Sequence, residues 1–509
     1  MQYLFTGSSG YCLYYSVEKV MKKLLTIILT IIYLSSFGQV GNTPVGVSNS
    51  VGNTRVGVFK QSSLFDYNVY SDSLFTVMTD LTTPEKLKID SLFVRLSEYQ
   101  TIDKLDVLNL QIVDSSKYSL LNWINKNHYP TKSGSPIFTP NIGHRTTTNH
   151  IITTNFNPKI DGDNYTLHNA SFGVWVYKDT VNTTGLDFGA RKSTAPTTRT
   201  SLTVTSSDKK PNLTINNRSS SPTSLQENKG LYSVSMTGDT AKGYHNGRCG
   251  SVQVAATPVL DSLDFYLGAY NLNNGTASNY SKRIYSGYFI GGGLRDWDMK
   301  IIYDAVADYA ESKGIEIIRR SDSLNVVCDG NSLTKGTTNN EGKKYPQFLQ
   351  DSLRAISLVD TVYNIGVDSQ TSQDMDSADA DVETKWSPYN KRNILIAWEI
   401  TNSLYFGQSV QSAIDDLETY CLHQKRRGYE VVVVTCIPRG NVSVDSINAA
   451  NALLKSTYLN FADKLVDLTN VSELSNYENM IYYSVDNIHL TEEGYKVVAK
   501  YVYDVIKDW

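Results

Sequence analysis

A serine, an aspartate and a histidine in the C-terminal part of the chain have the types needed for catalysis by an activated serine hydroxyl. The run Asn325-Val326-Val327-Cys328-Asp329-Gly330-Asn331-Ser332-Leu333-Thr334-Lys335-Gly336 leads from an apolar stretch through glycine to serine. Such a turn exposes the hydroxyl of Ser332 at a sheet edge, beside backbone amides able to donate to an oxyanion. A serine that only caps a βα turn has the same local pattern. Asp486-Asn487-Ile488-His489 places a carboxylate and an imidazole three residues apart in a loop. The carboxylate can accept from one ring nitrogen while the other faces the serine. Only His423 and His489 lie beyond residue 320, and His423 falls in Cys421-Leu422-His423-Gln424-Lys425-Arg426-Arg427, the polar end of a helix, where it reads as solvated. If the domain uses a serine–histidine mechanism, His489 is therefore the one good base. Gly366, in Asn364-Ile365-Gly366-Val367-Asp368, offers an N–H that no Cβ shields, although a plain turn glycine would look alike. Asn402, in Ile396-Ala397-Trp398-Glu399-Ile400-Thr401-Asn402-Ser403, can point its amide donor into a site or cap a turn.

These residues need a scaffold, and the pattern from about 323 onward supplies one. Asn325–Cys328, Thr361–Ile365, Ile394–Ile400, Val431–Ile437 and Leu465–Leu468 are strand candidates. Between them Tyr345, Phe348, Leu349, Leu353 and Ile356 keep helical spacing, as do Val410, Ile414, Leu417 and Cys421, and finally Val498, Tyr501, Val502, Val505 and Ile506. Near-continuous Val and Ile runs are expected where helices cover both faces of a parallel sheet. Ligands in such sheets bind at the carboxyl edge, where the four polar blocks fall.

Taken in order, Gly330-Asn331-Ser332-Leu333, Gly366, Asn402 and Asp486-Asn487-Ile488-His489 resemble the blocks of the SGNH (GDSL-like) hydrolase family. The resemblance covers about residues 323 to 509. It implies an α/β three-layer, flavodoxin-like SGNH hydrolase domain with ester-hydrolysing activity, Ser332 as nucleophile and Asp486 and His489 completing the triad. It also implies an oxyanion hole of the Ser332 and Gly366 N–H groups and the Asn402 side chain, with no metal or other cofactor. Two positions depart from the family. Asn331 stands where an Asp usually precedes the serine, and Ile400 stands where a glycine often precedes the Thr-Asn pair. A β-branched residue resists positive φ, so the loop presenting Asn402 is expected to differ from the family norm.

Upstream the character changes. From about 64 to 120 the pattern is helical, with Leu87, Ile89, Leu92, Phe93, Leu96 and Tyr99 on one face. Between about 137 and 290, short runs such as Ser171–Tyr177, Leu202–Thr205, Gly230–Met236 and Asp264–Ala269 alternate with polar turns, as in a β-sandwich or jelly roll. The stretch Phe265–Asn271, then Asn273-Asn274-Gly275-Thr276 and Tyr288–Leu294, resembles the closing strands of concanavalin A-like, laminin-G-type sandwiches. That resemblance spans about 64 to 312, takes Asp296–Ser312 as a following helix, and implies carbohydrate binding or a structural spacer. Trp175, Tyr177 and Tyr232 could stack on a sugar, although aromatics in alternating strands are usually core.

The 509 residues therefore divide into an upstream extension and signal peptide (1–39), a linker (40–63), the sandwich with its helical lead-in (64–312) and the hydrolase domain (323–509). Met21-Lys22-Lys23, the apolar Leu24–Leu34 and the small-residue exit Ser35–Gln39 form the secretory pattern. That run falls short of a membrane span, so a secreted or cell-envelope protein without stable membrane insertion is expected. A formal charge of −4, from 47 basic and 51 acidic residues, gives no electrostatic case for nucleic acid. The five cysteines form no C-x-x-C motif, and Cys328 and Cys436 read as core. The expected partner is an ester substrate, an acylated carbohydrate first. The alternative is a non-catalytic carbohydrate-binding or structural protein with a degenerate hydrolase domain.

Overall fold

Along Asn169–Lys178, alternate side chains leave on opposite sides, so Phe172, Val174 and Val176 share one face and Trp175 looks out of the other. The computed structural model describes residues 67–509 except 179–184, 205–210, 221–228, 254–257, 274, 316, 318–322, 340–341, 388–389 and 509. The expected signal segment and the 40–63 linker lie outside the described residues. In the structure Asn169–Lys178 lies between Gly230–Thr237 and Ile284–Gly291 in an antiparallel sheet of eight described strands. A second sheet of nine described strands, mostly antiparallel, is built around Phe188–Lys192 and Thr198–Thr203. The sheets enclose a core in which Phe172 stacks on Phe188 at 5.0 Å between ring centroids, with Leu202, Leu213, Phe265 and Leu267 around them.

The outer face of the eight-stranded sheet is covered by the helices Thr83–Glu98 and Asp296–Ser312, which pack with Trp175 and Phe289. The expected helical character of 64–120 holds for Val69–Phe75 and Thr83–Glu98 and fails beyond them. Leu105–Leu110 is a strand paired with Ile284–Gly291. Both of its faces are covered, with Val107 in the inter-sheet core and Leu108 and Leu110 beneath the helices, so no polar face marks its period. The run Asp264–Ala269 contains only the short strand Tyr266–Leu267. Tyr232 is fully buried in the inter-sheet core. Trp175, nearly buried, lines with Tyr177 a cleft of about 320 Å³ beside the helix Asp296–Ser312.

Five parallel strands follow, in the order Val359–Asn364, Leu324–Gly330, Arg392–Trp398, Tyr429–Val434, Lys464–Val466. Cys328, Ile396 and Val434 face a layer built from the helices Tyr345–Ala355 and Glu492–Ile506; Val327, Leu395 and Val433 face Val410–Arg426 and Val444–Thr457. The three central strands are thus covered on both sides, whereas the edge strand Val359–Asn364 exposes Thr361, Tyr363 and Asn364. The strands' amino edge meets the upstream half of the chain. There Arg392, Glu430 and Asp463 line a cleft of about 430 Å³ with Arg95, Lys300 and Asp304. Lys425 joins Glu98 at 2.8 Å across this boundary, and Trp297 meets Trp386 edge-on at 6.4 Å. The carboxyl edge is left for the candidate site.

Candidate active site

Leu324–Gly330 is buried throughout and ends on a glycine at φ +150°. A Cβ at Gly330 would stand 2.3 Å from the Trp398 carbonyl oxygen, so only glycine lets the chain turn this close to the neighbouring strand. Asn331 caps the short helix Ser332–Lys335, its side-chain oxygen accepting from Leu333 N at 2.8 Å. Ser332 takes the first helical position, where the helix itself supplies no acceptor for its N–H. Its side chain opens to the surface only slightly, at 8% residue exposure.

His489 comes from the loop before the last helix. Thr491 caps that helix by accepting from Gly494 N and donates its hydroxyl to the Ile481 carbonyl. Asn487 turns the chain at φ +56°, and its carbonyl accepts from Gly440 N at 2.8 Å. Held this way, His489 Nε2 lies 2.8 Å from Ser332 Oγ, 157 residues away in sequence. Its Nδ1 lies 2.6 Å from Asp486 Oδ2, and Asp486 Oδ1 accepts from Ile488 N and His489 N, both at 3.0 Å. Partial burial pushes the Asp486 carboxyl up, but the bonds from the His489 ring and the two amides outweigh it and hold the group below the usual carboxylate range. A carboxylate can only accept, so the ring proton belongs on Nδ1. Nε2 is then the bare acceptor facing the serine hydroxyl.

A second serine–histidine contact shows what this assignment excludes. Ser119 Oγ lies 2.8 Å from His144 Nε2, but the Ser119 hydroxyl also donates to the Ser116 carbonyl at 2.7 Å. With its one proton so used, Ser119 accepts from His144, and no carboxylate faces the buried Nδ1. Burial pushes the His144 ring down to about 4, so it stays neutral as a core residue.

Asn402 and Gly366 also reach this edge. Asn402 follows Ile400, whose φ of −164° is extended, so the β-branched residue is accommodated without the positive φ that a glycine would supply. Ile400 thus takes the extended backbone open to a β-branched residue. Asn402 is buried; its Nδ2 donates to the Gln370 carbonyl at 3.1 Å, which leaves one amide hydrogen for a substrate oxygen. Gly366 packs against the nucleophile turn so closely that a Cβ would stand 2.6 Å from Lys335 N and 3.0 Å from the Asn331 carbonyl. Its N–H is not free, however, and donates to Asn364 Oδ1 at 3.1 Å. His423, expected to be solvated, keeps 39% of its side chain exposed and also pairs with Asp376 through Nδ1 at 2.6 Å.

Several polar residues that support the site are not marked by the motifs. Glu399 is buried and accepts from Asn331 Nδ2 at 2.8 Å, Asn402 N at 3.2 Å and Ser403 N at 2.9 Å. Burial still raises its carboxyl above the ordinary range. Arg439, also buried, donates from Nη1 to Asn402 Oδ1 at 3.0 Å. The sequence signals were a charged residue closing an apolar strand and a fourth strand end, Ile437-Pro438-Arg439, carrying a cation. Among the described residues no three His, Cys, Asp or Glu side chains gather to hold a metal ion, and no helix is long and apolar enough to cross a membrane.

No family model and no curated protein matches the chain. Among solved structures, a lipolytic protein of the G-D-S-L family from Veillonella parvula DSM 2008 is similar at 17% identity and a TM-score of 0.31, over 37% of this chain and 100% of its own. The psychrotrophic esterase EstA from Pseudoalteromonas sp. is 15% identical with a TM-score of 0.31, covering 36% of this chain and 98% of its own. An acetyl xylan esterase, AlAXEase, is 16% identical with a TM-score of 0.29, covering 35% and 98%. Likenesses this distant decide nothing about the chemistry of this chain, which rests on the geometry of its own side chains.

Proposed function

We propose that residues 323–509 form an SGNH-type serine esterase of flavodoxin-like architecture. The observation that carries this reading is the unbroken chain Ser332 Oγ–His489 Nε2–His489 Nδ1–Asp486, at 2.8 and 2.6 Å. His489 takes the serine proton as Ser332 Oγ attacks the ester carbonyl, and then passes it to the leaving alcohol. Asp486 fixes the ring tautomer and stabilises the imidazolium. The oxyanion is received by the Ser332 N–H and the remaining Asn402 amide hydrogen, and by the Gly366 N–H once Asn364 yields it. Water activated by His489 then releases the acyl group, and no metal enters any step.

We read the substrate as an acyl ester, acetyl first, on carbohydrate. This is supported by the concanavalin A-like jelly-roll reading of residues 64–312 and by the exposed aromatics Tyr405 and Phe406, which follow Asn402 by three and four residues. Export to the cell surface or beyond is supported by the Met21–Gln39 pattern. The rival, a binding protein with a degenerate hydrolase domain, draws on one observation, the Gly366 N–H engaged by Asn364.

Ser332→Ala should remove hydrolysis of p-nitrophenyl acetate while leaving the circular dichroism spectrum and melting temperature unchanged. Turnover at the native rate in that variant excludes Ser332 as nucleophile. A native protein that releases no acetate from acetylated glycans, yet binds them, favours the rival.

A further inference from the structure

The amide of Asn402 can serve an oxyanion only if its nitrogen, not its oxygen, faces the site, and nothing in an asparagine prefers one end over the other. Its surroundings make the choice. Arg439 Nη1 lies 3.0 Å from Asn402 Oδ1, and a guanidinium has only donors to offer. On the other side the Gln370 carbonyl, which can only accept, takes a bond from Nδ2 at 3.1 Å. Rotating the amide by half a turn would set donor against donor and acceptor against acceptor at once. Asn402 and Arg439 are each 4% exposed, so water cannot easily repair the mismatch.

Arg439 is itself held rigidly. Its Nε donates to Asn441 Oδ1 at 2.6 Å, and its guanidinium lies over the Tyr405 ring, 5.7 Å from the centroid. Burial lowers its pKa, and the nearby Glu399 carboxylate acts against that loss of charge. Glu399 also fixes the Asn402 backbone, accepting from its N–H at 3.2 Å. One buried acid therefore holds the main chain of Asn402 and one buried base orients its side chain.

We propose that Arg439 is a positioning residue for the oxyanion hole, which keeps the Asn402 amide turned so that Nδ2 faces the developing negative charge. The inference rests on the esterase reading of the site. It assigns Arg439 no contact with substrate; its whole effect passes through Asn402. Arg439→Met should therefore lower kcat for p-nitrophenyl acetate by about 10- to 100-fold, below the full loss of a donor, with KM changed by less than about threefold. Arg439→Lys should recover part of that loss, because an ammonium can still donate to Oδ1.

The deciding experiment is a double-mutant cycle with Asn402→Ala. If Arg439 acts through the amide, Arg439→Met in the Asn402→Ala background costs no more than about twofold further. An undiminished second loss in that background, or native kcat in Arg439→Met alone, overturns the proposal. Because a stranded Glu399 could unfold Arg439→Met, the cycle is repeated with Glu399→Gln present in all four proteins, and Arg439→Lys supplies a charge-retaining cycle with the same criterion. Failure of the esterase reading appears separately, as turnover that survives Ser332→Ala.

Discussion

Asn331 departs from the pattern that the sequence resembles, and its side chain is fully engaged in this fold. Its amide donates to Glu399 at 2.8 Å and to Thr401 Oγ1 at 3.1 Å, while its oxygen caps Leu333. An aspartate there would bring a second carboxylate against Glu399 in a fully buried setting and remove the one side-chain amide that donates to it. Asn331→Asp should thus destabilise the fold by about 2–4 kcal/mol in urea denaturation, and Glu399→Gln should restore most of that loss by supplying the missing donor. An equal loss in both backgrounds would mean that Glu399 is not the cause. At this scale the sequence marked His489 because histidine is scarce, and marked Ser332 and Asp486 by their places after a strand end and in the loop beside it. It did not disclose Glu399 or Arg439, whose meaning lies in partners 68 and 37 residues away. Nor could it show that Asn364 occupies the Gly366 N–H, since that depends on a side-chain rotamer.

The parallel strands show a different kind of legibility. The Val and Ile runs of the three central strands mark them because helices cover both faces, and their predicted ranges differ from the observed ones by one to three residues at either end. Leu105–Leu110 was hidden by the same double coverage, since it lies beside helical sequence and lacks a run of β-branched residues. Within the first parallel strand, Asp329 is buried opposite the catalytic layer, accepting from Tyr420 Oη at 2.5 Å and Gly330 N at 2.7 Å. Burial pushes its carboxyl up to about 7. A raised acid binds its proton in the native state while the unfolded chain, near 3.9, has already lost it. Its contribution to stability is therefore present at low pH and disappears as pH rises from about 4 to about 7. The urea midpoint of the native protein should fall between pH 5 and pH 8 by more than that of Asp329→Asn. Parallel pH curves for the two proteins would rule out this titration.

Across the whole molecule, the two ends of the parallel sheet have separate duties. Ser332, His489 and Asp486 sit at the carboxyl edge, whereas Glu98, Trp297 and Lys300 engage the amino edge, about 20 Å away at the rise of a seven-residue strand. Trp297→Ala, which empties the buried boundary between the halves, should cost roughly 3–5 kcal/mol and leave kcat/KM for p-nitrophenyl acetate within about twofold. A large fall in turnover with that small ester, in protein still folded, would show that the amino-edge contacts reach the site. The account depends most of all on a deprotonatable Ser332 facing a bare imidazole nitrogen, and an organophosphonate tests that directly. Mass spectrometry of the digested protein after reaction with a p-nitrophenyl alkylphosphonate should find one phosphonyl adduct, on the peptide containing Ser332, formed rapidly in the native protein and lost in His489→Ala. An unlabelled Ser332, or labelling that proceeds equally well without His489, would contradict it.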